Sequence, residues 1–339
     1  MRVPQQLLTI AVVVAALAPL LSCGAIANPP TALTPAAAAS LPVARGGVRY
    51  DSMLPLEAVV TPKFDPEKPP PLALTYSVTY KGGEGETVPA LFVLPRQTTG
   101  KVPCVMLQHG LGGRKEDVYL LSSALAKRGY ASLMIDTAGH GARPQIGGKP
   151  VGELSLEQFR RMVGQTVADL RRGVDFLTTR PEIDTTRLGY LGASLGGIIG
   201  GVFVADESRI KGAVLWAAGG NWEKMIAHSQ HKFAERYRTG PDAVPPAQVG
   251  VVMADVDPVK TVGSIAPRPL LLINGDKDTI VPTMCTDDLF AAAGDPKKRI
   301  VLSGGHVPDL SILVTESLSW LDAHIKPTVT ADQAKSSLL

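Results

Sequence analysis

Four short stretches of this chain carry the residue types needed to transfer an acyl group: a hydroxyl, a carboxylate, an imidazole and two glycine-rich turns. Ser194 sits in Gly192-Ala193-Ser194-Leu195-Gly196-Gly197, between a strand-like run, Arg187 to Leu191, and an apolar helix-like run, Ile198 to Ala205. On so sharp a turn, larger side chains two positions before or after the serine would collide. The strained backbone then holds the hydroxyl out at the carboxyl edge of a sheet. Taken alone, the same stretch also reads as a glycine-rich turn with an incidental serine.

A serine nucleophile needs a base, an acid that orients the base, and donors for a negative oxygen. His109-Gly110-Leu111-Gly112-Gly113 follows the apolar run Val102 to Gln108. With so little bulk at that turn, the Leu111 N–H can point at an oxyanion, paired with the N–H of Leu195. Asp278 lies in the loop Asn274 to Pro282, just after the strand-like Leu270 to Ile273. His306 follows Ser303-Gly304-Gly305, past another strand. The order is Ser, Asp, His, with 84 residues from Ser194 to Asp278 and 28 more to His306. Asp276 competes for the acid's place, but its position two residues earlier suits a turn-stabilising role.

Other polar residues have plainer explanations. His140 is expected to bond local backbone, and Asp309 to cap the last helix. His228, His231 and Glu235 share a helical face at i, i+3 and i+7. With no fourth ligand nearby they read as a solvated lid helix, so neither metal nor cofactor is expected. Trp216, Asn221 and Trp222 end or follow a strand on the catalytic edge and are expected to line the acyl or alcohol pocket, although Trp216 suits the core equally well.

These residues need a scaffold of alternating elements. The strand patterns Leu72 to Tyr80 and Val88 to Leu94, joined by a turn at residues 82–85, form an antiparallel hairpin. Val102 to Gln108 is a near-continuous apolar run, like a strand covered on both faces. There follow a helix (Glu116 to Arg128), a strand (Ala131 to Asp136), a long helix (Leu156 to Leu177), the elbow strand and helix, and a strand at Gly212 to Ala218. Arg268 to Asn274, Arg299 to Leu302 and a helix at Leu310 to His324 close the series. Such alternation predicts an α/β fold, a mostly parallel sheet with helices on both faces. Residues 219–266 interrupt the rhythm with a helix-like run, Trp222 to Tyr237, and a turn at Pro245-Pro246. Insertions at this edge commonly cover a ligand crevice, so a small lid is expected there as readily as a surface excursion.

At this point the chain resembles an α/β-hydrolase, from about Leu72 to His324. The likeness is strongest to the dienelactone-hydrolase-like and acetyl-esterase-like branches. It rests on Gly-x-Ser-x-Gly at Ser194, His-Gly-x-Gly-Gly at His109, Gly-x-x-Asp-x-x-Val-Pro from Gly275 to Pro282, and Asp-x-x-Gly-His-Gly from Asp136 to Gly141. The resemblance implies Ser194 as nucleophile, His306 as general base and then acid, and Asp278 as the group that orients His306. Dienelactone hydrolases proper carry cysteine where Ser194 stands, which moves the expectation toward hydrolysis of a small-molecule carboxylic ester. Serine oligopeptidases share the catalytic domain but carry a large propeller before it, for which the residues between linker and first strands leave no room. A serine peptidase or amidase is therefore the second reading, and a non-catalytic, surface-tethered binding protein the third.

The 339 residues, 45% hydrophobic and 19% charged, suffice for one large core or two modest ones. A net charge of +3 without a basic run argues against nucleic acid as a partner. Residues 1–22 read as a signal peptide, with Arg2 ahead of an apolar run, Leu7 to Leu21, too short to span a bilayer comfortably. Leu20-Leu21-Ser22-Cys23 resembles a bacterial lipobox, which implies lipidation at Cys23 and a membrane tether; Ala25-Ile26-Ala27 resembles an ordinary cleavage site. Either implies export. Residues 23–47, rich in Pro and Ala, read as a linker, 48–325 as the catalytic domain and 326–339 as a loose tail. Cys104 and Cys285 fall toward opposite sheet edges and are expected to be free. Oligomeric state is not legible.

Overall fold

A computed structural model describes residues 44–63, 73–96 and 100–326. The signal, Cys23, most of the linker and the tail beyond residue 326 lie outside the described residues. Residues 44–47, read as linker, belong to the folded domain. Arg45 pairs with Asp206 at 2.8 Å, and the Gly46 N–H donates to Asp255.

The chain opens with three antiparallel strands, β1 (Val59–Pro62), β2 (Ala73–Lys81) and β3 (Thr87–Pro95). The β2–β3 hairpin falls where the alternation placed it. β1, four residues long and largely exposed, was not among the expected strands. Then come β4 (Val102–Gln108), α1 (Tyr119–Lys127), β5 (Ala131–Ile135), α2 (Leu156–Thr178), β6 (Ile183–Ala193), α3 (Leu195–Asp206) and β7 (Ile210–Trp216). The segment after β7 carries α4 (Trp222–His228), α5 (Lys232–Thr239) and α6 (Pro246–Val252). β8 (Leu270–Gly275), α7 (Thr283–Ala292), β9 (Lys297–Leu302) and α8 (Leu310–His324) finish the fold.

Among the described residues one sheet of nine strands runs in the order β1-β2-β3-β5-β4-β6-β7-β8-β9. It is parallel from β5 through β9, and every side chain of β4 is buried. Strand alternation sorts the covering helices. Cys104 and Met106 pack into the cluster that holds α2 and α3 residues such as Val163 and Ile199, whereas Val105 and Leu107 pack with Leu125 of α1 and Leu321 of α8. Ser155 and Gln158 form a reciprocal capping box that starts α2. This is the α/β-hydrolase fold, with helices on both faces.

Four elements differ from expectation. The helix expected from Glu116 begins as a 3-10 turn, Lys115–Val118, because Asp136 takes the Lys115 N–H at 2.8 Å and its ammonium at 2.8 Å. The run Trp222 to Tyr237 is two helices. Ser229 leaves the helix to donate its hydroxyl to the Ile280 carbonyl at 2.6 Å, and the Gln230 N–H donates to the Thr279 carbonyl at 2.8 Å. Pro245-Pro246 opens α6, with Pro246 at the first helical position, where no N–H is needed. α7 was not anticipated. Cys104 and Cys285 are both free and buried.

Candidate active site

The carboxyl ends of β4, β6, β8 and β9 meet at one point. Ser194, between β6 and α3, has φ 54° and ψ −119°, a conformation that L-residues rarely hold. Its N–H donates to the Trp216 carbonyl at 2.8 Å, which ties the turn to β7. The glycines around it follow from backbone proximity. A Cβ on Gly196 would lie 2.5 Å from the Gln108 carbonyl and 2.7 Å from that of His109, and one on Gly192 2.3 Å from the Gly196 carbonyl. β4 and the elbow are therefore in backbone contact, and no side chain fits between them.

Ser194 Oγ is 2.8 Å from His306 Nε2, and His306 Nδ1 is 2.8 Å from Asp278 Oδ2. The buried Asp278 carboxylate also accepts the N–H groups of Ile280 and Val281 at 2.8 and 2.9 Å. With both oxygens engaged, it presents a fixed edge to the imidazole. Asp276 lies outside this line. It accepts the Gly304 N–H at 2.9 Å while the Lys277 N–H donates to the Gly304 carbonyl at 2.8 Å, so the acid loop is laced to the histidine loop.

The Leu111 and Leu195 N–H groups, expected as oxyanion donors, have no partner among the described residues, and both residues line the cavity that contains Ser194. His109 sets the first of them. Its Nε2 accepts the Thr137 N–H at 3.1 Å, so the proton of the neutral ring sits on Nδ1 and is donated to the Gly110 carbonyl at 2.8 Å. Burial, opposed by that bond, lowers the His109 pKa and keeps the ring neutral. In a trans peptide, a fixed Gly110 carbonyl turns the Leu111 N–H the opposite way. In the sequence His109 stands out only as the first residue of its motif. The signal for its role was a histidine directly before a glycine turn.

A cavity of about 200 Å³ opens beside Ser194 and His306. Its walls are Phe159, Ile198, Trp222, Met225, Phe233 and Val281, so the segment after β7 supplies much of it. None of the described residues lining it is Asp, Glu, Lys or Arg. A smaller cavity of about 100 Å³ on the other side of Ser194 is lined by Trp216, Val307, Leu310 and Leu313.

The expected pocket residues therefore separate. Trp222 lines the main cavity, with its indole N–H on the Val256 carbonyl at 3.2 Å. Trp216 lines the smaller cavity and is otherwise core, its indole N–H donating to Ser317 Oγ at 2.7 Å. Asn221 lines neither cavity. It sits at φ 66° and caps α4, and its amide donates to Asp288 at 2.8 Å, so a role in building the segment replaces the expected pocket role. His228 ends α4, whereas His231 precedes α5, which separates the expected helical face of His228, His231 and Glu235. His140 Nδ1 bonds the Ala138 carbonyl at 3.0 Å, and Asp309 caps α8.

Residues 118–303, which span the elbow and the acid loop, match the prolyl oligopeptidase family. The chain belongs to that family. It is 32% identical over 142 residues to the putative hydrolase YtaP of Bacillus subtilis (strain 168), a match that covers 37% of this chain and less than half, 46%, of the relative. Two solved structures share the fold. The acetyl xylan esterase from Paenibacillus sp. R4 superposes with a TM-score of 0.68 at 22% identity, over 80% of this chain and 90% of that one. Acetyl xylan esterase 1 from Thermoanaerobacterium sp. JW/SL YS485 gives 0.67 at 17% identity, over 79% and 88%. The oligopeptidase-family match lies within the part of the chain, about Leu72 to His324, for which a dienelactone-hydrolase-like or acetyl-esterase-like likeness was expected.

Proposed function

We propose that the protein is a serine hydrolase that cleaves uncharged carboxylic esters through an acyl-enzyme. The observation that carries this reading is the unbroken line from Ser194 through His306 to Asp278, two contacts of 2.8 Å, beside two N–H groups unpaired among the described residues. Ser194 Oγ attacks the carbonyl carbon while His306 Nε2 takes its proton, and Asp278 stabilises the imidazolium that forms. The Leu111 and Leu195 N–H groups hold the oxyanion. His306 then gives the proton to the departing alcohol. In the second half it takes one from water, which attacks the acyl carbon, and gives that proton to Ser194 Oγ as the Oγ–acyl bond breaks and the carboxylic acid leaves.

The uncharged lining of the main cavity favours an ester over a peptide, since it offers no carboxylate for a peptide's amino end and no cation for a carboxyl end. The acetyl xylan esterases of similar fold lean the same way by name. Membership of the prolyl oligopeptidase family favours a second reading, cleavage of short amides. Hydrolysis of p-nitrophenyl acetate, set against a short p-nitroanilide, separates the two. Ser194→Ala should lower turnover by roughly 10⁶-fold, to background, and abolish labelling by a fluorophosphonate. Undiminished turnover in that folded variant refutes the assignment.

A further inference from the structure

The described lining of the main cavity includes a polar group that the mechanism does not use and whose donor is free. His231 lines it together with Ser194 and His306, in the break between α4 and α5. Its Nδ1 accepts the Phe233 N–H at 3.1 Å, which caps α5. That bond requires a lone pair on Nδ1, so the neutral ring carries its proton on Nε2. Burial first, and the neighbouring His306 second, lower the pKa of the ring and favour the neutral form. Nε2–H is therefore an uncharged donor, and it has no partner among the described residues.

The other cavity hydroxyl outside the triad is already committed. Ser229 Oγ donates to the Ile280 carbonyl at 2.6 Å and accepts the His231 N–H at 3.1 Å. His231 Nε2–H is thus the one side-chain donor that the described lining leaves open to a bound molecule, and the walls around it are apolar. An all-carbon chain pressed against it would leave the donor unsatisfied, whereas an oxygen there would pair with it. A carboxylate is a poor occupant, because no Lys or Arg is among the described residues that line the cavity.

We propose that His231 is the specificity-determining donor of this cavity, and that the preferred ester carries an uncharged oxygen acceptor, an ether, hydroxyl or carbonyl, a few atoms from the scissile bond. This rests on the ester-hydrolase reading above. His231 acts by holding the substrate and takes no part in bond making or breaking.

The test compares isosteric esters in which one methylene becomes an ether oxygen. On the acyl side, p-nitrophenyl 3-methoxypropanoate is set against p-nitrophenyl pentanoate; on the alcohol side, 2-methoxyethyl acetate is set against butyl acetate. The readout is the ratio of kcat/KM within each pair, so a general loss of activity cancels. The wild type should favour the ether by about five- to tenfold in at least one pair, the worth of one neutral hydrogen bond.

Two variants separate the donor from the cap. His231→Ser keeps a cap acceptor but cannot reach the substrate, and it should erase the preference. His231→Gln loses the cap but carries an N–H at the position of Nε2, and it should retain most of it. An absent preference in the wild type, or one that survives in H231S, overturns the assignment. So does a preference lost equally in both variants, which would mark disturbed packing. Failure of the wild type to cleave all four esters and to react with a fluorophosphonate sinks the ester reading, and the His231 assignment with it. Cleavage without the predicted ratios sinks His231 alone.

Discussion

Two regions meet at Ser194 and are built by different means. At the ends of β4, β6, β8 and β9, backbone meets backbone. Gly196 lies under the Gln108 and His109 carbonyls, Gly275 lies against those of Gly304 and Gly305, and Asp276 bridges to the Gly304 N–H. The segment between β7 and β8 is tied to the acid loop by the Gln230 N–H and the Ser229 hydroxyl, but it shapes the cavity with side chains, Trp222 and Phe233 lying in edge-to-face or tilted contact with Phe159 of α2. The first region fixes reacting atoms to fractions of an ångström and tolerates almost no added volume. The second sets the shape of a cavity and can be reshaped residue by residue. Chemistry and substrate choice are thus separable in this molecule, and mutations should divide along the same line.

After loss of the nucleophile itself, the largest effect is expected from the acid. In Asp278→Asn, the Oδ1 contacts to Ile280 and Val281 can persist, so the loop should fold as before. The amide then faces His306 Nδ1 and imposes the wrong tautomer. Turnover should fall by about 10⁴-fold with little change in KM. Steady-state kinetics on p-nitrophenyl acetate measure both, and a loss of less than tenfold would detach Asp278 from the chemistry.

Gly196→Ala tests the backbone region itself. The new Cβ meets carbonyl oxygens of two consecutive residues, so β4 and the elbow must part. Overpacking of this kind costs about 1–3 kcal/mol. A misplacement approaching 1 Å costs about 10²-fold in rate. Thermal melting and kcat/KM should therefore fall together. A variant that melts like the wild type and works like it would end the distinction between the regions.

The same division explains what could be read from the sequence. The backbone region is legible because close approach demands glycine at fixed offsets. Ser194, Asp278, His306, Leu111 and Leu195 were each located by such turns, and the structure brings them to one point. The side-chain region leaves no such mark. Trp222 to Tyr237 has continuous helical periodicity, and what breaks it is a pair of hydrogen bonds to residues about fifty positions later, Thr279 and Ile280. Asn221 and Trp222 are neighbours in sequence, yet one builds the segment and the other lines the cavity, a difference that only packing decides. His109 and His231 were visible as residues, but their tautomers depend on Thr137 and Phe233 N–H groups placed by the fold.

Phe233→Leu probes the second region. Phe233 touches Phe159 with ring centroids 4.4 Å apart and Tyr237 at 5.0 Å, so shortening it widens the cavity without reaching Ser194. The preferred acyl or alcohol chain should lengthen by one or two carbons. Each methylene that finds new room is worth up to about tenfold in kcat/KM, and acetate turnover should stay within about threefold. A chain-length series of p-nitrophenyl esters reads the shift. An unchanged profile would mean that substrate enters elsewhere, the smaller cavity by Trp216 being the alternative.

The smallest effect should appear where neither region is touched. Glu86 on the β2–β3 turn accepts from Gln165 at 2.5 Å and from Arg143 at 3.2 Å, beside the fully buried Asp169 that Arg143 also binds. Burial, and then Asp169, push the Glu86 carboxyl up to about 7, against the pull of Arg143. Between its ordinary value of 4.5 and about 7, the folded chain holds a proton that the unfolded chain has released. Stability must therefore fall as pH rises through that window, and level off above it once both states are ionised. With the Glu86 side chain 32% exposed, solvent screening reduces the cost to about 1 kcal/mol. That corresponds to about 2–4 °C in melting temperature between pH 5 and 8. Glu86→Gln, which mimics the protonated form, should flatten this slope and leave the pH–rate profile of ester hydrolysis in place. If the variant moved the rate profile as well, the polar cluster would be coupled to the histidine at the site, and the partition between the two regions would not be the whole account of activity.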